Sequence, residues 1–201
     1  MIREVMIPLP KETIVGEVSR VTPISGAYNV PEGILHGKLV YTNYRVAFMG
    51  SKHRGETYYF MVPYEKLLSL NITEEKALFG LRKSKRLMIH YETTEGIVRK
   101  VYFKLPWDTP NDIISDITAV MKRAKESRYH EELLSPQEFK EFVMFLYSEK
   151  GISPLYHDPV SRAIRIGNAT FYIKRDFTVE GDSHILPDAK RWIEEFRSVR
   201  R

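Results

Sequence analysis

Leu39-Val40-Tyr41-Thr42-Asn43-Tyr44-Arg45-Val46-Ala47-Phe48 reads as two β-strands hinged at a polar corner. Leu39 and Tyr41 alternate with Lys38, Val40 and Thr42 before the break, and Val46 and Phe48 resume the alternation after it. Period two is the repeat of a pleated strand that turns one face to a core. Asn43 supplies a residue that tolerates the positive φ a tight reversal often needs.

Outward from this corner, the same period runs from Glu12 to Leu105, broken by Gly, Pro, Asn and Lys-Arg clusters, which is the signal for an all-β unit. Seven strands are predicted: Thr13 to Thr22, Ile34 to Thr42, Tyr44 to Gly50, Glu56 to Tyr64, Lys66 to Thr73, Arg86 to Glu92 and Ile97 to Leu105. A helix is then punctuated by Thr109 as N-cap, Pro110 at its first position and Asp112 in a place like that of a capping box, and runs to about Lys125. Ile113, Ile114, Ile117, Val120, Met121 and Ala124 form its apolar stripe, so it is expected to lie against an open end of the strands.

The charge-rich stretch Lys122 to Leu134 reads as a boundary, dividing the chain into 1–128 and 129–201. In the second part Ser135, Pro136 and Glu138 open a helix that buries Phe139, Phe142, Val143 and Leu146 and ends at Gly151. Arg162 to Ile166 and Ala169 to Arg175 form a hairpin across Gly167-Asn168, with Phe177 and Val179 extending it. Pro187 opens a last helix with Ala189, Trp192, Ile193, Phe196 and Val199 on one side. The predicted fold class is mainly β with α: a seven-stranded, partly open barrel capped by a helix, then a small α+β unit of helix, hairpin and helix.

Composition bounds the function. In 201 residues with 43% hydrophobic content the chain can bury a real core. With no Cys, disulfides, thiolate metal sites and a cysteine nucleophile are excluded, which fits a reducing compartment and makes cytoplasm the expectation. A lone glutamine, Gln137, and 28% charged residues are a bias shared with thermophilic proteins. No apolar run reaches the roughly 20 residues of a membrane span, and Met1-Ile2-Arg3-Glu4 lacks the pattern of a secretory signal. A net charge of +5 favours acidic partners, and also fits an ordinary solvated surface.

Catalytic constellations are absent from the sequence. His36, His53, His90, His130, His157 and His184 never take the spacing of a helical metal pair. There is no phosphate loop, dinucleotide fingerprint or nucleophile elbow. His157-Asp158 could pair a base with its orienter, but neighbours on an extended segment point apart. The expectation is no enzyme, no cofactor, no metal and no small-molecule substrate. Arg191, Arg197, Arg200 and Arg201 end the chain, and charge alone supports nucleic-acid binding, since Ser153 to Ser161 with Pro154 and Pro159 makes a poor recognition helix.

Gly37-Lys38-Leu39-Val40-Tyr41-Thr42-Asn43-Tyr44-Arg45-Val46-Ala47-Phe48 resembles the pattern Gly-x-Leu-x-x-Thr-Asn-x-Arg-x-x-Phe of the GRAM branch of the pleckstrin-homology (PH) superfold and of related archaeal and bacterial PH-like domains. Val62-Pro63-Tyr64-Glu65-Lys66-Leu67-Leu68-Ser69-Leu70 resembles that family's Ile-Pro-x-x-x-Ile-x-x-Ile. The resemblance spans roughly Glu12 to Lys125 and implies a helix-plugged barrel that recognises membranes, phosphoinositides or proteins without catalysis. Its phosphoinositide binders carry a cation-rich first loop, whereas Pro23 to Gly33 here holds no Lys or Arg and contains Glu32. An archaeal architecture of this kind, a PH-like domain joined to a second domain, serves as a chemotaxis adaptor.

Positive charge gathers instead in Lys52-His53-Arg54 and Arg82-Lys83-Ser84-Lys85-Arg86. Lys52, Arg54, Arg82, Lys83, Lys85 and Arg86 are therefore the candidate anion- or partner-binding residues, beside an apolar Leu78, Phe79 and Leu81 that is either core or a docking tip. The expected function is a cytoplasmic, non-catalytic adaptor that docks on a partner protein through rim loops or a strand edge. The alternative is peripheral attachment to anionic membrane lipid through those cations, and nucleic acid is the lesser one.

Overall fold

In the computed structural model the described residues are 1–24, 34–52, 57–76, 83–127 and 129–200, with side chains described at all of these except Ile34, Leu35, Lys52, Lys76, Lys83, Tyr129 and His130. The chain is mainly β with α, in two units: Glu12–Ser127, and Met1–Lys11 together with Arg128–Arg201. This moves the boundary expected from sequence, because the first eleven residues fold with the C-terminal unit.

The chain opens with β1 (Ile2–Glu4), which belongs to that later unit. Next come β2 (Ile14–Pro23), β3 (Ile34–Thr42), β4 (Arg45–Lys52), β5 (Thr57–Pro63), β6 (Leu67–Lys76), β7 (Lys83–Glu92) and β8 (Val98–Leu105), then the helix α1 (Ile113–Ser127). The seven strands form one antiparallel sheet in the order β5-β4-β3-β2-β8-β7-β6. No closed barrel forms among the described residues, since β5 and β6 stand at the two edges.

β2 joins the two halves of this sheet. Its first part pairs with β3, as in Val18↔Leu39, and its end pairs with β8, as in Thr22↔Lys104. Val18 and Val21 are three residues apart and would face opposite ways on a regular strand. Both are buried in one core, because the register shifts between them and Arg20 takes φ +58°. The bend brings rings from both halves together: Phe48 and Phe103 centroids lie 4.9 Å apart, and Phe60 meets Tyr91 edge-on at 5.3 Å. Each such buried side chain contributes roughly 1.5–3 kcal/mol of transfer free energy.

α1 sends Ile113 and Ile117 into that core, with Ile114, Val120, Met121 and Ala124 packed against it, which is the stripe read from the sequence. The helix starts at Ile113, later than the expected start at Pro110 with Thr109 as N-cap. The bond that opens it runs from Asp116 N to Asp112 O at 2.9 Å, while the Thr109 carbonyl accepts from the Lys85 ammonium.

The second unit contains α2 (Pro136–Ser148), β9 (Leu155–Asp158), β10 (Ala163–Ile166), β11 (Ala169–Ile173), β12 (Val179–Gly181) and α3 (Leu186–Val199). Ser135 caps α2, its hydroxyl accepting from Glu138 N at 3.3 Å and donating to the Glu138 carboxylate at 2.6 Å. Past its end Gly151 takes φ +65° and Ile152 N donates back to Leu146 O, which turns the chain away from the helix axis. The predicted hairpin is present as β10 and β11, but it is the centre of a five-stranded sheet, β1-β9-β10-β11-β12, in which β1 and β9 run parallel. Both helices pack on this sheet through Phe139, Phe142, Leu146, Ile193 and Phe196.

Candidate functional site

Thr42, Asn43 and Arg45, the polar residues of the signature, are consumed by the corner itself. Arg45 is fully buried and holds Glu12 with two parallel bonds, Nε to Oε1 at 2.7 Å and Nη2 to Oε2 at 2.8 Å. The Thr42 hydroxyl donates to the same carboxylate at 2.8 Å and accepts from the backbone N–H groups of Tyr44 and Arg45 at 3.0 and 2.9 Å. Asn43 does not take a positive φ; its side-chain oxygen accepts from Thr13 N at 2.9 Å, while its own N–H donates to Thr13 O at 3.1 Å. The corner is thus stitched to the start of β2.

Tyr64 completes the cluster, its hydroxyl donating to Thr42 O at 2.8 Å. Burial, followed by Tyr41 and the Glu12 charge, raises its pKa, so it stays a neutral donor. Tyr41 lies over Gly16, where an added Cβ would fall 2.2 Å from the Tyr41 hydroxyl. Its pKa too is raised, by desolvation first, then by the charges of Asp116 and Asp112 and a hydrogen bond to Asp116. The residues most like a family motif therefore hold the fold and are not placed to hold a ligand.

The candidate cations divide. Arg54 and Arg82, and the side chains of Lys52 and Lys83, lie outside the described residues, as do Leu78, Phe79 and Leu81 and most of the loop Pro23 to Gly33. Lys85 is a correction to the outward-facing set: it is 6% exposed, because it shares the inward register of Leu87 and Ile89. Its ammonium bonds Thr109 O and, at 2.7 Å, Asn111 Oδ1, and sits 5.5 Å from the Trp107 ring centroid. Arg86 faces outward, paired with Glu75 at 2.5 Å and lying 5.9 Å over the Tyr102 ring.

Around Arg86 the outer face of β6, β7 and β8 gathers residues not singled out from the sequence. Arg86 stands opposite Lys104, Met88 opposite Tyr102, and His90 opposite Lys100. The signal was present in the alternation of Lys100, Tyr102 and Lys104 with the buried Val101, Phe103 and Leu105.

In the other unit, His157 and Asp158 do not form a catalytic pair. Asp158 is fully buried and accepts from Ile7 N at 2.6 Å, Val160 N at 2.9 Å and Ser161 N at 3.2 Å. Ser161 Oγ donates to Ile7 O at 2.7 Å, so both polar groups of Ile7 are met by side chains. His157 Nδ1 lies 3.2 Å from Arg3 O, and desolvation lowers its pKa despite that bond and the Asp158 charge. Among the described residues no group of three His, Asp or Glu is arranged to hold a metal ion, and no helix is long and apolar enough to cross a membrane.

No family model and no curated protein matches the chain. Among solved structures, the hSac2 domain from human phosphoinositide phosphatase Sac2 aligns over 59% of this chain and 73% of its own, at 15% identity and a TM-score of 0.41. A likeness of that size carries no argument about activity.

Proposed function

We propose that this chain is a non-catalytic binding module, an adaptor that docks on a partner protein along an open strand edge of the Glu12–Ser127 unit. The observation that carries this reading is the backbone of β5. Tyr64 N donates to Tyr44 O at 3.1 Å, in the register that continues as Arg45↔Pro63, Val46↔Val62 and Phe48↔Phe60. Bonded pairs alternate along an antiparallel ladder, so Tyr58, Phe60 and Val62 bond to β4 while Tyr59 and Met61 turn their N–H and C=O groups to the open side. β5 carries no charged residue, whereas the opposite edge, β6, carries Glu74, Glu75 and Lys76. An uncharged edge is a template for an incoming strand. The PH-like resemblance, with its non-catalytic recognition, supports the same reading.

Attachment to anionic membrane is the second reading, favoured by the exposed Lys104 beside Arg86 and the exposed Lys100 opposite His90. Affinity capture from lysate and sedimentation with acidic vesicles separate the two. Tyr59→Pro removes an edge donor that β4 does not use, so the fold survives it. The expected result is a specific protein retained by the wild type and lost by this variant, with no pelleting on vesicles. Salt-sensitive pelleting, with no protein retained, overturns it.

A further inference from the structure

The outer face of β6, β7 and β8 is a second surface, distinct from the β5 edge. Three rows of side chains cross it. Thr73, Arg86, Lys104 and Thr22 form one, Asn71, Met88 and Tyr102 the next, and Ser69, His90 and Lys100 the third. Ile24 extends the middle row, since its N–H donates to Tyr102 O at 3.0 Å. A strip of thioether, ring and aliphatic carbon thus runs between two rows that carry basic residues.

Arg86 and Lys104 are direct cross-strand neighbours, a like-charge arrangement that destabilises a sheet. Glu75 offsets one of these charges through Arg86 Nη2, and Glu92, near the other end of the face, is engaged by Lys66 at 2.8 Å. Lys100 and Lys104 are exposed, with no ion pair among the described residues. The sheet therefore keeps uncompensated positive charge on both sides of an apolar strip.

Arg86 and His90 are four residues apart on β7, which separates the basic rows by about 13 Å. An extended peptide has the same rise, so acidic groups four residues apart meet both rows while the residue midway meets Met88 and Tyr102. We infer that this face binds an extended acidic segment of a partner protein, with carboxylates at its first and fifth positions and an apolar side chain at the third. Single-stranded nucleic acid fits less well, because stacking of bases needs an open ring and Arg86 already lies over Tyr102. A membrane fits less well too, since Met88, Tyr102 and Ile24 are half-buried and offer no projecting apolar wedge.

The test is fluorescence anisotropy on the full chain with two labelled peptides of equal composition. One has aspartate at positions one and five, leucine at three and serine elsewhere; the other moves the second aspartate to position four, onto the opposite side of an extended chain. The expected result is binding of the first at least about fivefold tighter, weakening with salt, and a drop of about tenfold or more in Lys100→Glu/Lys104→Glu, whose exposed positions leave folding intact. Equal binding of both peptides, no binding up to about 1 mM, or indifference to the double substitution overturns the assignment. So does preference for oligothymidylate or acidic vesicles that the same substitution abolishes. A captured partner lost by Tyr59→Pro but kept by Lys100→Glu/Lys104→Glu leaves the edge reading standing and removes this one.

Discussion

Among the described residues Arg45 is the largest fully buried side chain and is a cation, tolerated because Glu12 meets its guanidinium with two bonds and Thr42 meets the carboxylate. Removing one member of a buried ion pair strands the other charge, whereas replacing both with apolar groups does not. Glu12→Ala is expected to cost about 3–5 kcal/mol in urea unfolding, and Glu12→Leu with Arg45→Met much less than the two single losses combined. Additive losses would show that the two residues act independently.

His157 gives a residue-scale dependence on pH. Its pKa is lowered in the fold, so the unfolded chain binds more protons just below the unfolded value of about 6.5. The stability held by neutral His157 is present above that value and is lost as pH falls through the window down to the folded pKa. Glu4, its cross-strand partner, shifts in the opposite sense: desolvation first and then Asp158 push its carboxyl up to about 7, a contribution that fades as pH rises and is small because the residue is exposed to solvent. Comparing wild type with His157→Gln at each pH cancels the Glu4 contribution. The gap in melting temperature between them is expected to shift against the wild type from pH 7.5 to pH 5, and a constant gap contradicts the assignment.

At the scale of elements, the strands were legible because period two and burial coincide. The stripe of α1 was legible for the same reason at its own period. The bulge in β2 was not, since nothing in Val18-Ser19-Arg20-Val21 marks a left-handed residue. Arg20 stands at φ +58°, and among the described residues only an exposed ion pair to Asp108 at 3.2 Å holds its side chain. Arg20→Gly is expected to match or exceed wild-type stability, by up to about 1 kcal/mol, while Arg20→Val loses more than that. Chemical denaturation of the pair checks this, and equal effects would deny strain at the bulge. Lys85 shows the reverse lesson: its alternation with Leu87 and Ile89 placed it inward, but its membership of a basic cluster suggested a surface.

For the whole molecule, the division into Met1–Lys11 with Arg128–Arg201 and the intervening Glu12–Ser127 could not be read locally. β1 has three residues, and its partner β9 lies about 150 positions away between Pro154 and Pro159, so each segment alone reads as loop. Asp158 and Ser161 then fasten Ile7, and Tyr172 Oη donates to Pro8 O at 2.7 Å. Deleting residues 1–9 is therefore expected to lower one thermal transition and leave that of 12–127 in place, as circular dichroism of the truncated chain and of the isolated 12–127 fragment reports. A single transition lost as a whole would mean that the units do not fold separately.

Recognition through the β5 edge is open to amide hydrogen exchange with and without the captured partner. The amides of Tyr59 and Met61, which face away from β4, are predicted to slow on binding while those of Tyr58, Phe60 and Val62 stay unchanged. Unaltered exchange at Tyr59 and Met61 in a saturated complex would contradict it.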